Sequence, residues 1–363
     1  MRRLLIPVAL LAAAGLALAG WSWRAWTRGA GPADAPPVLV QIPPGMTLRA
    51  AADTLAARGL LRSPRLFLVG ARLGGQARGL QAGLYELSPA VSPRELLADL
   101  TSGRSVQVRV TVPEGLEAEA AAAILAAALG FAAEAFLAAA DSVLAAAAAA
   151  DPAAWGLPAG YGALLAAESD RRARTFRLCE GYLAPDTYVF AAGTRPETAA
   201  AHLVETQLHR LAAAHAGAGE PVRAPHALLT LASIVEAEAR RDDERGRIAA
   251  VYANRIAASR RLEADPTVAF VLGKRGQRLF YRDLEVDSDW NTYRRSGLPP
   301  GPIGSPGEAS LRAAARPDPA CDALFFVSDG ADGHVFSRTA REHEEAVRRF
   351  RRLRAESRRS GGG

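Results

Sequence analysis

One uncharged run near the N-terminus constrains the architecture of this chain more than any other feature. Residues 4–23 are twenty mostly apolar residues without a charge. A helix of this length rises about 1.5 Å per residue and spans roughly 30 Å, the thickness of a bilayer core. Arg2 and Arg3 precede the run. Tryptophans, which favour membrane interfaces, mark its far end: Trp21, Trp23 and Trp26. The run therefore predicts a single membrane-spanning helix.

A cleavable signal peptide is the alternative interpretation of the same run. Residues 17–19 have the small-x-small pattern of a processing site, but the run is long for the apolar part of a signal peptide. Two arginines on the short N-terminal side favour a cytoplasmic N-terminus, although Arg24 and Arg28 reduce the charge asymmetry. We expect a single-pass protein of the inner (plasma) membrane, with most of the chain on the periplasmic or extracytoplasmic side.

The composition excludes disordered proteins and argues against nucleic-acid binding. The chain has 363 residues, of which 49% are apolar, enough for two domains with a sizeable core. Its net charge of +6 comes from dispersed arginines, without the stacking-aromatic motifs or helix-turn-helix spacing of nucleic-acid-binding proteins. We expect no nucleic-acid partner. Attraction to anionic lipid head groups or wall polymers explains the basic balance.

Cysteine and histidine give no sign of a metal centre. The only cysteines are Cys179 and Cys321, and the sequence has neither C-x-x-C nor His and Cys residues clustered at ligand spacing. An exported compartment would permit a disulfide, but two separate thiols are the expectation. The sequence predicts no metal site and no cofactor.

The remainder of the chain predicts two α+β regions. Two segments, 40–60 and 110–130, share a short strand, a Pro-x-Gly turn and a helix. Between them, Ser92 and Pro93 have the residue types of an N-cap and a first helical position. The predicted divisions are 1–28 cytoplasmic tip and transmembrane anchor, 29–37 linker, 38–130 small α+β module, 131–179 alanine-rich helical segment, 180–350 larger α+β domain and 351–363 basic, glycine-rich tail.

The segment 228–240, LLTLASIVEAEAR, has the apolar spacing of a helix in the larger domain. At about 100° per residue, with Leu231 at zero, Leu228, Ile234 and Val235 lie at roughly +60°, −60° and +40°. These positions form one apolar face. The segment is therefore predicted to be a helix packed against a core on that face.

Two glutamates lie on opposite sides of this predicted helix. Glu238 falls at roughly −20°, within the apolar face, and Glu236 at roughly +140°, on the side expected to face water. A buried carboxyl must find a partner or raise its pKa, and a protonated carboxyl near neutral pH is a general acid. The alternative is a helix that ends near Glu238, whose carboxylate then lies in solvent or pairs with Arg240 or Arg241.

Seven ordered blocks lie along the second half of the chain: EGYLAPDTYVF at 180–190, LASIVEAE at 231–238, VYANRI at 251–256, ADPTV at 264–268, NTY at 291–293, GLPPGPI at 297–303 and FVSDGADGHVFS at 326–337. Together they resemble the MltG (YceG-like) family of membrane-bound endolytic murein transglycosylases. Ser305 and Glu344 depart from residues common in that family, so neither is predicted as a site residue.

The resemblance implies a fold and a set of partners. It implies an α+β protein with a single N-terminal transmembrane helix, a small LysM-like α+β module at 38–130 and a larger α+β YceG-like catalytic domain. A LysM-like module is associated with binding wall glycan; a rigid spacer is the alternative. The implied partners are peptidoglycan glycan strands, the cell membrane and peptidoglycan synthases (penicillin-binding proteins).

The resemblance also implies an activity and its residues. The implied enzyme is a lyase that cleaves nascent glycan strands between MurNAc and GlcNAc, leaves 1,6-anhydroMurNAc ends and terminates polymerisation. Glu238 matches the catalytic glutamate. A muramidase-type hydrolase and a non-catalytic wall-binding membrane scaffold are the alternatives. The candidate substrate-binding residues are Glu236, Asp265, Thr267, Asn291 and Tyr293.

The intact mass of protein extracted from membranes separates an anchor from a signal peptide. An uncleaved anchor predicts a mass that includes residues 4–23, because no processing removes the run. A mature chain that begins at Gly20 would contradict the anchor.

Overall fold

The computed structural model describes residues 2–76, 78–150, 155–172, 174–216 and 224–360, with the side chains of the two terminal helices described from residue 13 and up to residue 354. The chain has a mixed α+β fold of two compact units. The first unit comprises Met1–Arg109 and Val189–Thr194, and the second comprises Val110–Tyr188 and Arg195–Gly363.

The first unit is a small α+β structure that follows an N-terminal helix. Its elements are α1 (Arg2–Thr27), β1 (Val38–Ile42), α2 (Leu48–Ala57), α3 (Pro64–Leu73), β2 (Gly83–Leu87) and α4 (Pro93–Ser102). β1 and β2 pair antiparallel, with Val40 opposite Tyr85. Alternate residues of both strands are buried, as the period of a strand requires. Ser92 and Glu95 form a capping box at the start of α4, where the sequence predicts a helix.

The C-terminal end of α1 packs into the core of the first unit. The ring of Trp26 lies 6.4 Å from that of Phe67 on α3, whereas Trp21 and Trp23 are exposed. The backbone of the apolar run is helical throughout, and the side chains of residues 1–12 lie outside the described ones. Its insertion in a membrane stays a prediction.

The boundary between the units differs from the predicted end of the small module at residue 130. It falls between Arg109 and Val110 and crosses both β3 (Gln107–Val112) and β4 (Asp186–Ala191), which pair with each other. The helix that follows β3, α5 (Ala118–Leu129), packs against α6 (Ala133–Ala150) in the second unit. Residues 110–130, the second of the two similar segments in the sequence, therefore belong to the larger unit.

α6 is long and apolar enough to cross a membrane by length and composition alone. It packs in the second unit between α5 and α8 (Pro196–His215). Its buried side chains lie four or fewer positions apart, as on one face of a helix: Phe136, Leu137, Ala140 and Leu144.

The second unit is built around α9 (Pro225–Glu238), every residue of which from His226 to Val235 is buried except Ala227. The helices that pack against it are α8, α10 (Arg245–Ala257), α11 (Asp265–Val271) and α12 (Glu308–Ala315). α7 (Tyr161–Arg172) and two 3-10 turns, Asp242–Glu244 and Tyr281–Glu285, complete the helical part.

A hairpin and a C-terminal helix complete the second unit. β5 (Phe325–Ser328) and β6 (His334–Ser337) pair antiparallel around a turn at residues 329–333. α13 (Ala340–Ser360) packs against both strands. This hairpin also contacts α10, and so lies close to the C-terminal end of α9.

Candidate active site

α9 ends at Glu238, because the next residue leaves the helical conformation. Ala239 has φ −70° and ψ 127°, and its N–H donates to the carbonyl of Val235 over 2.9 Å. The helix thus ends where the second interpretation of the sequence places its end. The Glu238 carboxylate nevertheless pairs with neither of the next arginines: Arg241 pairs with Asp243, and Glu238 accepts a hydrogen bond from Tyr252.

Tyr252 holds the Glu238 carboxyl group from the adjacent helix. Its hydroxyl donates to Oε1 of Glu238 over 3.0 Å. The tyrosine itself is 2% exposed, and its ring meets that of Phe326 nearly perpendicularly at 5.8 Å. A buried aromatic ring with fixed neighbours gives its hydroxyl a fixed position. Tyr252 belongs to the matching block at 251–256 but is not among the site residues predicted from the sequence.

The environment of Glu238 gives its carboxyl group an unusual pKa. Burial raises the pKa to about 7, the Tyr252 hydrogen bond opposes that rise, and the nearby Asp265 carboxylate adds to it. Arg240 and Arg255 lower the pKa to a smaller extent. Near neutral pH, both protonation states of Glu238 are therefore populated. Such a group can donate a proton in one step and accept one in the next.

Glu238 lies on the walls of two open clefts. The larger has a volume of about 1560 Å³ and the smaller about 390 Å³. The larger exceeds the roughly 300–1,000 Å³ of sites for small ligands, and its size suits a segment of a polymer. Both clefts share four lining residues: Glu238, Arg240, Asp265 and Val327.

Two of the predicted substrate-binding residues lie in these clefts beside Glu238. Asp265, the first residue of α11, is exposed and lines both. Tyr293 lines the smaller, and its hydroxyl donates to Oδ1 of Asp265 over 2.6 Å. Together they place a hydrogen-bonded carboxylate and phenol on the cleft wall near Glu238.

The other two polar candidates, Thr267 and Asn291, are fully buried and line neither cleft. Oγ1 of Thr267 donates to the carbonyl of Ala264 over 2.8 Å. Nδ2 of Asn291 donates to the carbonyls of Leu284 and Val286 over 2.9 and 2.7 Å. Their polar atoms are used to fix the loops that flank α11.

The prediction that Glu236 faces water is wrong. Its side chain is 8% exposed. Oε1 accepts from Arg245 and Oε2 from the backbone N–H of Gly307, each over 3.0 Å. Neighbouring segments cover α9 on the face opposite Glu238 as well. Arg245 also donates to Ser310 on α12, which connects this ion pair to the covering helix.

Arginines are the cleft residues that the sequence analysis missed. Residues 351–354, the described start of the predicted basic tail, are exposed and helical as part of α13, and Arg351 and Arg354 line the larger cleft with Val347 and Phe350. The helical spacing of Val347, Phe350 and Leu353 could have revealed this helix.

Neither cysteine lines the two clefts beside Glu238. Cys179 and Cys321 are free thiols. Within the described ranges, no group of three or more His, Cys, Asp or Glu side chains is arranged to hold a metal ion.

Comparison with known proteins gives this architecture a family. A sequence model of the YceG-like family matches residues 40–349. The chain belongs to the YceG-like family. Among the relatives of this YceG-like chain is the endolytic murein transglycosylase of Bacillus subtilis, 30% identical over 318 residues that cover 86% of this chain and 84% of that protein.

Two further relatives extend the comparison. The endolytic murein transglycosylase of Streptococcus pneumoniae is 28% identical over 328 residues, which cover 85% of this chain but 58% of the longer streptococcal protein. The crystal structure of a YceG-like protein from Listeria monocytogenes aligns with a TM-score of 0.56 at 29% identity. That alignment covers 85% of this chain and 98% of the Listeria chain.

The raised pKa of Glu238 predicts a pH-dependent stability difference between the wild type and Glu238→Gln. The carboxyl has an ordinary pKa of 4.5 when unfolded and about 7 when folded, so its contribution is complete below pH 4.5 and is lost as the pH rises through 7. Glutamine has no such loss. The variant should match the wild type at pH 4.5 and exceed its unfolding free energy by about 3 kcal/mol at pH 8.

Unfolding curves of both proteins at several pH values measure this difference. Glu205→Gln, which changes an exposed glutamate on α8, is the control and should track the wild type at every pH. A constant offset between Glu238→Gln and the wild type from pH 4.5 to 8 would contradict the raised pKa.

Proposed function

We propose that this chain is an endolytic murein transglycosylase, a lyase that cleaves peptidoglycan glycan strands between MurNAc and GlcNAc. Membership of the YceG-like family and the names of the curated relatives support the reaction class. One structural observation carries the assignment of the chemistry. The partly buried carboxyl group of Glu238 has a pKa of about 7 and lines a cleft large enough for a polymer.

In this mechanism Glu238 acts first as an acid. The protonated carboxyl donates to the glycosidic oxygen, and the bond between that oxygen and C1 of the MurNAc residue breaks. An oxygen that receives the proton leaves as a neutral hydroxyl, which lowers the barrier to cleavage. The carboxylate that remains is stabilised by the hydrogen bond from Tyr252.

Glu238 then acts as a base. Its carboxylate accepts the proton of the C6 hydroxyl of the same MurNAc residue, and O6 bonds to C1 to give a 1,6-anhydro end. The nucleophile belongs to the substrate, and an intramolecular nucleophile has a high effective concentration. The enzyme therefore needs one carboxyl with two accessible protonation states, and no water is consumed.

A muramidase-type hydrolase is the second candidate, because Asp265 provides a second carboxylate in both clefts. Hydrolytic glycosidases use one carboxyl as acid and another to activate water or attack C1. Oδ1 of Asp265 accepts a hydrogen bond from Tyr293, an arrangement that also suits substrate positioning. The family relationship favours the transglycosylase.

The location and partners follow from the same proposal. The apolar run within α1 anchors the chain in the inner membrane, with the residues that follow α1 on the extracytoplasmic side. The LysM-like module within the first unit binds glycan strands. Cleavage of nascent strands at the membrane surface ends their polymerisation, in association with the peptidoglycan synthases that make them.

Glu238→Gln tests the assignment of the acid and base. Glutamine keeps the size of the side chain but can neither donate nor regain the proton. Turnover of uncrosslinked glycan strands should fall by about 10² to 10⁴, the usual contribution of general acid–base catalysis. Mass spectrometry of the released fragments measures the rate.

Glu236→Gln is the matched control, since it makes the same change two residues away on α9. It removes the negative partner of buried Arg245, so its melting temperature should fall because breaking a buried pair is costly. The rate per folded molecule should stay within a few-fold of the wild type. Near-normal turnover by Glu238→Gln would overturn the mechanism.

A further inference from the structure

The larger cleft beside Glu238 has more positive than negative groups on its walls. Its carboxylates are Glu117, Glu238 and Asp265. Glu117 already pairs with Arg174. The arginines are contributed by the residues after α9, the loop after α11 and the C-terminal helix α13: Arg240, Arg275, Arg278, Arg351 and Arg354. We call these five residues the arginine wall.

The members of the arginine wall differ in how far the protein already engages them. Arg275 donates to the carbonyl of Ile303 over 3.2 Å. Arg278 and Arg354 lie over the rings of Phe280 and Phe350 at 5.1 and 5.9 Å. Arg240 and Arg351 form neither an ion pair nor a hydrogen bond with any described part of the chain. The wall therefore has guanidinium groups available for a ligand.

α13 presents its part of the wall on one side of the helix. Val347, Phe350, Arg351 and Arg354 all line the cleft, at spacings of three and four residues that fall on one helix face. The apolar pair gives contact area and the arginines give charge. Such a surface suits a ligand with both carboxylates and hydrocarbon.

Proton transfer does not explain this positive charge. Arg240 lowers the pKa of Glu238, which opposes the protonated state that a general acid needs. The N-acetyl sugars of a glycan strand are uncharged. Negative charge enters an uncrosslinked strand through the carboxylates of the peptides attached to its lactyl groups, and arginine is the side chain best suited to bind carboxylates.

We propose that the arginine wall binds the carboxylates of stem peptides, with Arg351 and Arg354 of α13 as specificity-determining residues for strands that carry free stems. The inference rests on the proposed cleavage of glycan strands. It assigns a recognition role to the C-terminal helix that is separate from the chemistry at Glu238.

The experiment compares two double variants of α13 on two substrates. Arg351→Gln with Arg354→Gln removes charge from the wall. Arg348→Gln with Arg352→Gln removes the same charge from residues outside the lining of the larger cleft. One substrate is an uncrosslinked strand with free stem carboxylates. The other is a matched strand whose lactyl groups end in a neutral methylamide.

The wall predicts a change in KM with little change in kcat. Arg351→Gln with Arg354→Gln should raise KM for the stem-bearing strand about threefold to tenfold, as expected for loss of exposed charge pairs. KM for the neutral strand should be unchanged, as should both values for the control variant. Added salt should reduce the advantage of the stem-bearing strand for the wild type, because exposed pairs are screened.

Binding of the two strands to the Glu238→Gln protein tests the arginine wall independently of the proposed cleavage reaction. Calorimetry should show tighter binding of the stem-bearing strand than of the neutral one. If the wild type cleaves neither strand but the stem-bearing strand still binds more tightly, the proposed function is wrong and the binding role of the arginine wall is supported. Equal KM values and equal affinities for the two strands would contradict the proposed binding of stem carboxylates by the arginine wall, whatever the cleavage rate.

Discussion

The hydrogen bond from the Tyr252 hydroxyl to the Glu238 carboxyl is the contact on which the site depends. It joins the C-terminal end of the buried helix α9 to the middle of α10 over 3.0 Å. Without a partner, burial would keep the carboxyl protonated. One neutral donor stabilises the carboxylate enough to bring the pKa to about 7. A stronger partner, such as an arginine in direct contact, would hold the group ionised and remove its use as an acid.

α10 connects this contact to the rest of the second unit. Asn254 donates to the carbonyls of Cys321 and Ala323, each over 3.0 Å. Arg255 donates to the carbonyl of Leu324 over 2.7 Å. These bonds fix the segment that precedes β5, and Phe326 on β5 packs against the Tyr252 ring. On the other side of α9, the ion pair of Glu236 and Arg245 fixes the helix against α12, so the carboxyl that faces the cleft is held from both sides.

The sequence was sufficient to predict the inward glutamate but not its neighbours. Helical periodicity predicts that Glu238 lies on the apolar face of its helix, and the matching block LASIVEAE at 231–238 ends at the same residue. Helical periodicity places Glu236 on a face exposed to water, whereas neighbouring segments cover α9 on that face too, so the exposure of Glu236 is predicted wrongly. Thr267 and Asn291 belong to matching blocks but fix loops, because a block records both scaffold and site residues. Scaffold residues can be told from site residues only by their burial and their hydrogen-bond partners, and both depend on segments that are distant in sequence.

The domain boundary and the arginine wall could not be predicted from the sequence for a related reason. The strand, turn and helix shared by 40–60 and 110–130 form a local pattern. α5 joins the second unit through α6, whose packing against α8 is a contact between segments distant in sequence. Arg240, Arg275 and Arg351 lie far apart in sequence and meet only at the cleft. Charge composition predicts a basic tail at 351–363, and the apolar spacing within α13 is the local signal for the helix that carries Arg351 and Arg354.

The source of the oxygen on C1 of the new chain end tests the central claim most directly. Digestion of uncrosslinked glycan strands in ¹⁸O-labelled water, followed by mass spectrometry, identifies it. Because O6 of the substrate closes onto C1, the account predicts unlabelled anhydro ends that are lighter than reducing ends by one water. Reducing ends that carry ¹⁸O from the solvent would show that water is the nucleophile and would contradict the single-carboxyl mechanism.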